Sequence, residues 1–194
     1  MLERLSKAGI ITHLTKGLYY RPRKSRFGTV PISEKEIIDY YTSDGKGFVV
    51  GYQLYNRKGL TTQIGKKAEI LSAALIEQKK NIGNVSVSKI MMELASATVS
   101  TIEVLEILQN FNSIEDINSK AFVSYMREFA AVYSDEKTEY VLQNCKYKKL
   151  TIAFLKKCLS YMRVKNNLNR YLSPLSEHAV PDIRAHMSGS KMKM

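Results

Sequence analysis

The spacing of apolar residues changes once along this chain, and that change narrows the folds open to it. Beyond Ser100, Ile102, Leu105, Leu108 and Phe111 recur every third residue, and Phe122, Tyr125, Met126, Phe129 and Tyr133 every third or fourth. Such a period lays apolar side chains along one face of a helix. Leu150, Phe154, Cys158 and Met162 draw another stripe, with Lys149, Lys156 and Arg163 opposite, and Asp135 can cap a helix running through Leu142. Four helices are expected between residues 100 and 166. Before Ser100 the helical period is absent: residues 61–64, 70–72 and 85–87 read as short β-type runs of a small sheet, separated by Lys79, Lys80, Asn81 and Gly83. The spacing therefore predicts an α+β chain, with a small mixed middle followed by a helical C-terminal part.

The first third carries clearer local signals. Residues 2–8 favour a helix, Gly9 suits its C-terminal cap, and residues 10–21 alternate around Thr15-Lys16-Gly17 as two short strands and a turn. Ser33 with Glu36 three residues on forms a capping box ahead of Ile37 and Ile38, which predicts a helix to about Tyr41. The neighbouring carboxylates Glu34, Glu36 and Asp39 are explained by capping and helix-dipole compensation without any catalytic role. Asp44-Gly45-Lys46-Gly47 is turn chemistry, and residues 48–55 form a short apolar run that stops at Gly59.

Charge is unevenly distributed. Thirty Lys and Arg against eighteen Asp and Glu give a formal net charge of +12, which favours a polyanionic partner such as nucleic acid. Half of that surplus lies in residues 1–30, where Arg4, Lys7, Lys16, Arg21, Arg23, Lys24 and Arg26 face Glu3 alone. A second basic segment, 143–176, carries Lys146, Lys148, Lys149, Lys156, Lys157, Arg163, Lys165 and Arg170 and no acid. Its lysines alternate with the apolar stripe, so they read first as the wet face of a packed helix and second as a dock for an acidic partner.

The search for catalytic motifs is negative. The sequence holds no phosphate loop, no GxGxxG after a strand, no HExxH and no GxSxG, so no enzyme, no cofactor and no small-molecule substrate is expected. His178, Asp182 and His186 stand four apart as metal ligands can, but Pro181 lies among them near a chain end, and an exposed tail is the expectation. His13 in the first strand reads as a surface or structural histidine that could reach a phosphate. Cys145 and Cys158 belong to no CxxC pair and read as buried thiols. With no apolar run of about 18 residues and no leader-like start, neither a membrane span nor secretion is expected, and the chain reads as cytoplasmic.

What remains is the stretch from Lys16 through Tyr19, Tyr20, Arg21, Pro22, Arg23, Lys24 and Arg26 to Gly28, a tight turn and an aromatic strand leading into four cations within six residues. A lysine at a hairpin tip can press on a groove wall, while Arg21, Arg23, Lys24 and Arg26 neutralise phosphates and release counterions. The plainer alternative, a solvated basic loop, leaves the aromatic residues and the preceding helix without a purpose.

The order of three blocks, Leu2-Glu3-Arg4-Leu5-Ser6-Lys7-Ala8-Gly9-Ile10-Ile11, Lys16-Gly17-Leu18-Tyr19-Tyr20-Arg21-Pro22 and Arg26-Phe27-Gly28, resembles the antitoxins of the abortive-infection AbiE type, a type IV toxin-antitoxin family. Gly51-Tyr52-Gln53-Leu54-Tyr55-Asn56 and Gly59-Leu60-Thr61-Thr62-Gln63 look like its second recurring block, and the apolar residues 102–111 echo a third. The resemblance implies a winged helix-turn-helix repressor of its own operon that counteracts a nucleotidyltransferase-like toxin. Double-stranded DNA of its own operator and the cognate toxin protein would be its partners. It implies that residues 3–7 end a recognition helix, that residues 10–21 are the wing, and that Arg4, Lys7, Lys16 and Arg21 face DNA. Family members usually carry two further helices ahead of the block that starts here at Leu2, so a truncated reading head, with base discrimination weakened before charge attraction, is expected. The resulting division is a partial winged helix over 1–30, a mixed segment over 31–95, a helical part over 96–175 and a flexible tail over 176–194. The competing expectation is a protein-interaction module that neutralises a partner through its helical half and leaves DNA alone.

Overall fold

The computed structural model describes residues 1–173 and 179–181. It opens with α1 (Leu2–Lys7), which ends in a Schellman motif: with Gly9 at φ +66°, its amide donates to the Ser6 carbonyl and the Ile10 amide to the Leu5 carbonyl, both at 3.0 Å. Two antiparallel hairpins follow, β1 (Thr12–Thr15) with β2 (Leu18–Tyr20), and β3 (Arg23–Ser25) with β4 (Gly28–Val30). The first turns at Lys16-Gly17, as expected. The second was not anticipated, because its strands are three residues long, fully exposed and without apolar alternation.

Next, α2 (Glu34–Thr42) carries the expected capping box on Ser33 and Glu36. The apolar run after the Asp44 turn is two elements instead of one: β5 (Gly47–Val50) passes directly into α3 (Gly51–Arg57). Gly51 makes the switch at φ +62°, a conformation that glycine adopts at little cost. A second Schellman motif at Gly59 ends α3.

Residues 61–64 do not form the strand their composition suggests. Thr61 and Gln63 are instead held in an extended connection by side chains: the Asn56 amide donates to both of their carbonyls at 2.8 and 3.0 Å, and the Thr61 hydroxyl donates to the Glu115 carbonyl at 2.8 Å. The sheet is completed by β6 (Ala68–Ser72), β7 (Lys79–Ile82) and β8 (Val85–Lys89) in the order β5-β6-β8-β7, with β6 and β8 parallel and the outer pairs antiparallel. The lysines taken as a separator are thus an edge strand, whose exposed positions carry Lys79 and Asn81 while Ile82 is buried. Polar edge residues discourage pairing with another chain.

The helical part contains α4 (Ser96–Asn110), α5 (Ser119–Ala131), α6 (Asp135–Asn144) and α7 (Lys149–Tyr161). Ser134, not Asp135, caps α6, its hydroxyl accepting from the Lys137 amide. The Asp135 carboxylate accepts from the Tyr133 hydroxyl at 2.8 Å and the Asn167 amide at 2.9 Å. The buried face of α7 is turned from the expected stripe, since Leu150 is exposed while Ile152, Phe154, Leu155, Cys158 and Leu159 are buried. Cys145 is only half buried, and burial pushes its thiol pKa upward; Cys158 is fully enclosed and is pushed up to about 12.

Two hydrophobic clusters lie on opposite sides of the sheet. α2 covers one face with Ile37 and Tyr41 against Ala68, Ile70, Val85 and Val87, joined by Leu14 and Leu18 from the first hairpin. The larger cluster gathers Phe48, Val50, Leu54 and Tyr55 with the helices, α4 at its centre against α3, α5, α6 and α7. Phe111, Phe122 and Phe154 form an aromatic group inside it, with centroids 4.8 to 6.4 Å apart. The architecture is α+β: small N-terminal sheets, a central mixed four-stranded sheet and a helical C-terminal half. Among the described residues no helix is long and apolar enough to cross a membrane.

Candidate nucleic-acid interface

The first hairpin has two unlike faces. Leu14 and Leu18 turn toward the cluster under α2, whereas His13 and Tyr19, opposite each other in register, stack outside with ring centroids 5.1 Å apart. The hairpin is anchored at its tip as well: the Lys80 ammonium donates to the Lys16 carbonyl at 2.6 Å. Because that bond uses the main chain of Lys16, the Lys16 side chain is left exposed and available. Lys80 escaped the sequence reading, since its contact spans 64 residues and its neighbours resemble a polar spacer.

The second hairpin is fixed by charge. Arg23 pairs with Glu36, which also accepts from the Ser33 amide at 2.9 Å and the Ser33 hydroxyl at 2.8 Å. These two Ser33 bonds, then the Arg23 guanidinium, lower the Glu36 pKa to about 2. β3–β4 is thereby tethered to the first turn of α2. At its tip the Arg26 guanidinium lies 4.6 Å from the centroid of the Phe27 ring, itself almost wholly exposed. Register places Arg23 opposite Val30 and Lys24 opposite Thr29, so the two cations leave on opposite faces of the ribbon.

All seven cations expected to contact DNA are exposed, and they divide into two kinds. Lys7 is paired with Glu3 one helical turn away at 3.0 Å, and Arg23 with Glu36. Arg4, Lys16, Arg21, Lys24 and Arg26 have no carboxylate partner among the described residues. The structure gathers the seven onto three consecutive small elements, α1 and the two hairpins, with no apolar core of their own. The first of these hairpins is supported from behind by the cluster under α2 and the second by the Arg23–Glu36 pair.

In the second basic segment Arg170 pairs with Glu139 of α6, an acid from outside the segment. Lys146, Lys148, Lys149, Lys157, Arg163 and Lys165 are exposed and make no ion pair among the described residues. Arg163 holds φ +60° in the turn that ends α7, a position usually given to glycine. His178, Asp182 and His186, and the expected tail apart from residues 179–181, lie outside the described residues; among those described, no cluster of His, Cys, Asp or Glu suits a metal ion.

No protein-family model matches the chain, and no curated protein matches it. Among solved structures it is distantly similar to the crystal structure of the RV2827C protein from Mycobacterium tuberculosis, with 13% sequence identity and a TM-score of 0.44. The similarity covers 82% of this chain and 63% of that one, so this chain spans less than two thirds of the length of the structure it matches.

Proposed function

We propose that this chain is a DNA-binding transcriptional regulator that autoregulates its operon and acts as antitoxin to a nucleotidyltransferase-like toxin. The observation that carries the DNA half is the set of exposed, unpaired cations on a helix–hairpin–hairpin face whose first hairpin is buttressed by Lys80 and whose second is held by Arg23 and Glu36. A fixed hairpin presents charge with little ordering cost on binding, which separates it from a solvated loop. In this reading α1 is the end of a recognition helix, β1–β2 is the wing, and Arg4, Lys7, Lys16, Arg21, Arg23, Lys24 and Arg26 make the DNA contacts. The antitoxin half rests on the sequence resemblance to AbiE-type antitoxins.

Fluorescence anisotropy with the chain's own upstream DNA and an unrelated duplex, across a salt series, tests the regulator. Preference for the upstream fragment is the expected result; no binding to either at low salt would sink the proposal. The alternative of a protein-interaction module working through the helical half draws on the unpaired lysines around α7. Co-expression of full-length charge variants with the toxin separates the readings. If replacing Lys148, Lys149 and Lys157 by Glu abolishes rescue while replacing Lys16, Arg21 and Lys24 does not, toxin neutralisation belongs to the helical half.

A further inference from the structure

The sheet buries one face on α2 with alanine, isoleucine and valine, but its other face does not follow suit. Alternation turns Glu69 of β6 and Ser86 and Ser88 of β8 toward the α3 and α4 side, and Glu69 lies opposite Ser86 in register. Across from them α3 contributes Gly51, Tyr52 and Tyr55, and α4 contributes Glu106 and Asn110. Between these elements is a cavity of about 350 Å³. That is the lower end of the range for small-ligand pockets, roughly 300–1,000 Å³.

Three features make it more than an acidic patch. Ser86 keeps only 6% of its surface exposed, yet its hydroxyl has no hydrogen-bond partner among the described residues and faces the cavity. The hydroxyl of this largely buried residue is therefore open to whatever fills the cavity. Second, the cavity is lined by two carboxylates and by no lysine or arginine, in a chain with a net charge of +12. Third, the Tyr52 and Tyr55 rings, which meet edge to face at 5.5 Å, line it and supply aromatic surface.

We infer that this cavity binds a small organic cation, an alkylammonium or alkylguanidinium, with Glu69 and Glu106 as its counter-charges, Ser86 as a hydrogen-bond acceptor and Tyr52 and Tyr55 along its apolar stem. Glu69 stands at the exposed mouth and Glu106 lies deeper, so the charged ends of a diamine can each meet one carboxylate. Gly51 keeps the mouth open to Glu69, because a Cβ there would sit 2.1 Å from the Glu69 carboxylate oxygen Oε2. Around Glu106, Glu69 from β6 and Tyr55 from α3 carry no positive charge, Tyr147 before α7 hydrogen-bonds to it, and Lys89 and Lys146 line a neighbouring cavity that Glu106 also borders. The same chemistry can arrive as a free diamine or as a lysine or arginine side chain of a partner protein.

Isothermal titration calorimetry on the full chain at fixed ionic strength, using agmatine, 1,4-diaminobutane and N-acetyl-arginine amide as probes and 1-pentanol as the neutral control, decides the matter. Saturable one-to-one binding of the diamines is expected, weakened at least tenfold by Glu106→Gln and by Glu69→Gln and a few-fold by Ser86→Ala, with thermal melts confirming that each variant folds. Binding of the capped arginine in preference to agmatine would assign the site to a partner's side chain; the reverse would assign it to a free amine. No saturable binding of any cation, or binding that the three substitutions leave unchanged, overturns the inference. Should a Gln variant fail to fold, agmatine titrated into the unaltered protein is expected to perturb the Tyr52 and Tyr55 ring resonances, and resonances that stay in place overturn the inference equally. DNA affinity is expected to be unchanged in all three variants, so the two proposals fail separately.

Discussion

At the residue scale, two carboxylates illustrate how differently the same group can be used. Glu36 is on the surface, and its lowered pKa comes from local bonds: two from Ser33, then Arg23. A folded-state pKa below the unfolded value of about 4.5 means that its stabilising effect is present above that pH and is lost as pH falls toward 2. Carboxyl resonances followed by NMR should therefore show Glu36 titrating near 2, and Ser33→Ala and Arg23→Ala should each raise that midpoint only in part, because the largest effect comes from the Ser33 backbone amide, which both variants retain. Ser33→Ala also removes a helix cap, at about 1 kcal/mol. Glu103, by contrast, is buried in α4, bonded to Arg57 at 2.6 Å and Lys58 at 2.8 Å, with Lys58 also over the Tyr125 ring at 4.8 Å. Removing one partner of a fully buried pair costs roughly 3–5 kcal/mol. Arg57 is half exposed and can rehydrate, so Glu103→Ala should cost about 2 kcal/mol, read from urea unfolding, and Glu103→Gln less. The capping box was legible from Ser33 and Glu36 because both partners lie within one turn; the Glu103 centre was not, because its cations lie 46 and 45 residues away.

Among the elements, legibility followed the number of faces each one buries. α5 has one wet face and one dry one, and its residues were read correctly from Phe122 to Phe129. α4 lies between four other helices, so Thr101, Ile102, Glu103, Val104 and Leu105 are all buried in succession and the period that betrayed the helix marks only part of its contact surface. Leu105→Ala should therefore leave a cavity that no solvent-facing side can relieve and cost about 3–5 kcal/mol by chemical denaturation, whereas the same change at Leu150, which is exposed on α7, should cost less than about 1 kcal/mol. Edge strands were the harder case. β7 presents Lys79 and Asn81 outward, and β3 and β4 bury nothing, so neither left an apolar signature; their existence depends on hydrogen bonds to a neighbour that no local pattern announces. Residues 61–64 failed in the opposite direction: Thr61, Thr62 and Ile64 have strand-forming side chains, but Asn56 and Glu115 claim the Thr61 and Gln63 groups first, and Ile64 is 90% exposed.

For the whole molecule the deciding quantity is where its excess positive charge lies in relation to its acids. Inside the fold, acids outside each basic segment reach back to neutralise part of it: Glu36 takes Arg23, and Glu139 takes Arg170. The sequence showed both basic segments but not which of their members would remain free, since that depends on chain crossings. After the pairing, Arg4, Lys16, Arg21, Lys24 and Arg26 remain on the N-terminal face, and each phosphate neutralised releases condensed counterions from duplex DNA. A contact set of about four or five phosphates gives a slope of roughly −4 in a plot of log affinity against log salt. If the N-terminal face alone binds DNA, replacing Lys16, Arg21 and Lys24 by Ala should flatten that slope by about 2 to 3, while replacing Lys148, Lys149 and Lys157 by Ala should leave it unchanged. A purely global charge effect predicts another pattern, in which both triple variants, each lowering the net charge equally, flatten the slope alike. Arg23→Ala gives a sharper reading still. If its guanidinium serves DNA directly, the slope falls by about 1; if it serves by tethering β3–β4 to Ser33 and Glu36, affinity falls with the slope nearly intact, and Glu36→Gln reproduces the loss even though it removes a negative charge that should otherwise favour binding.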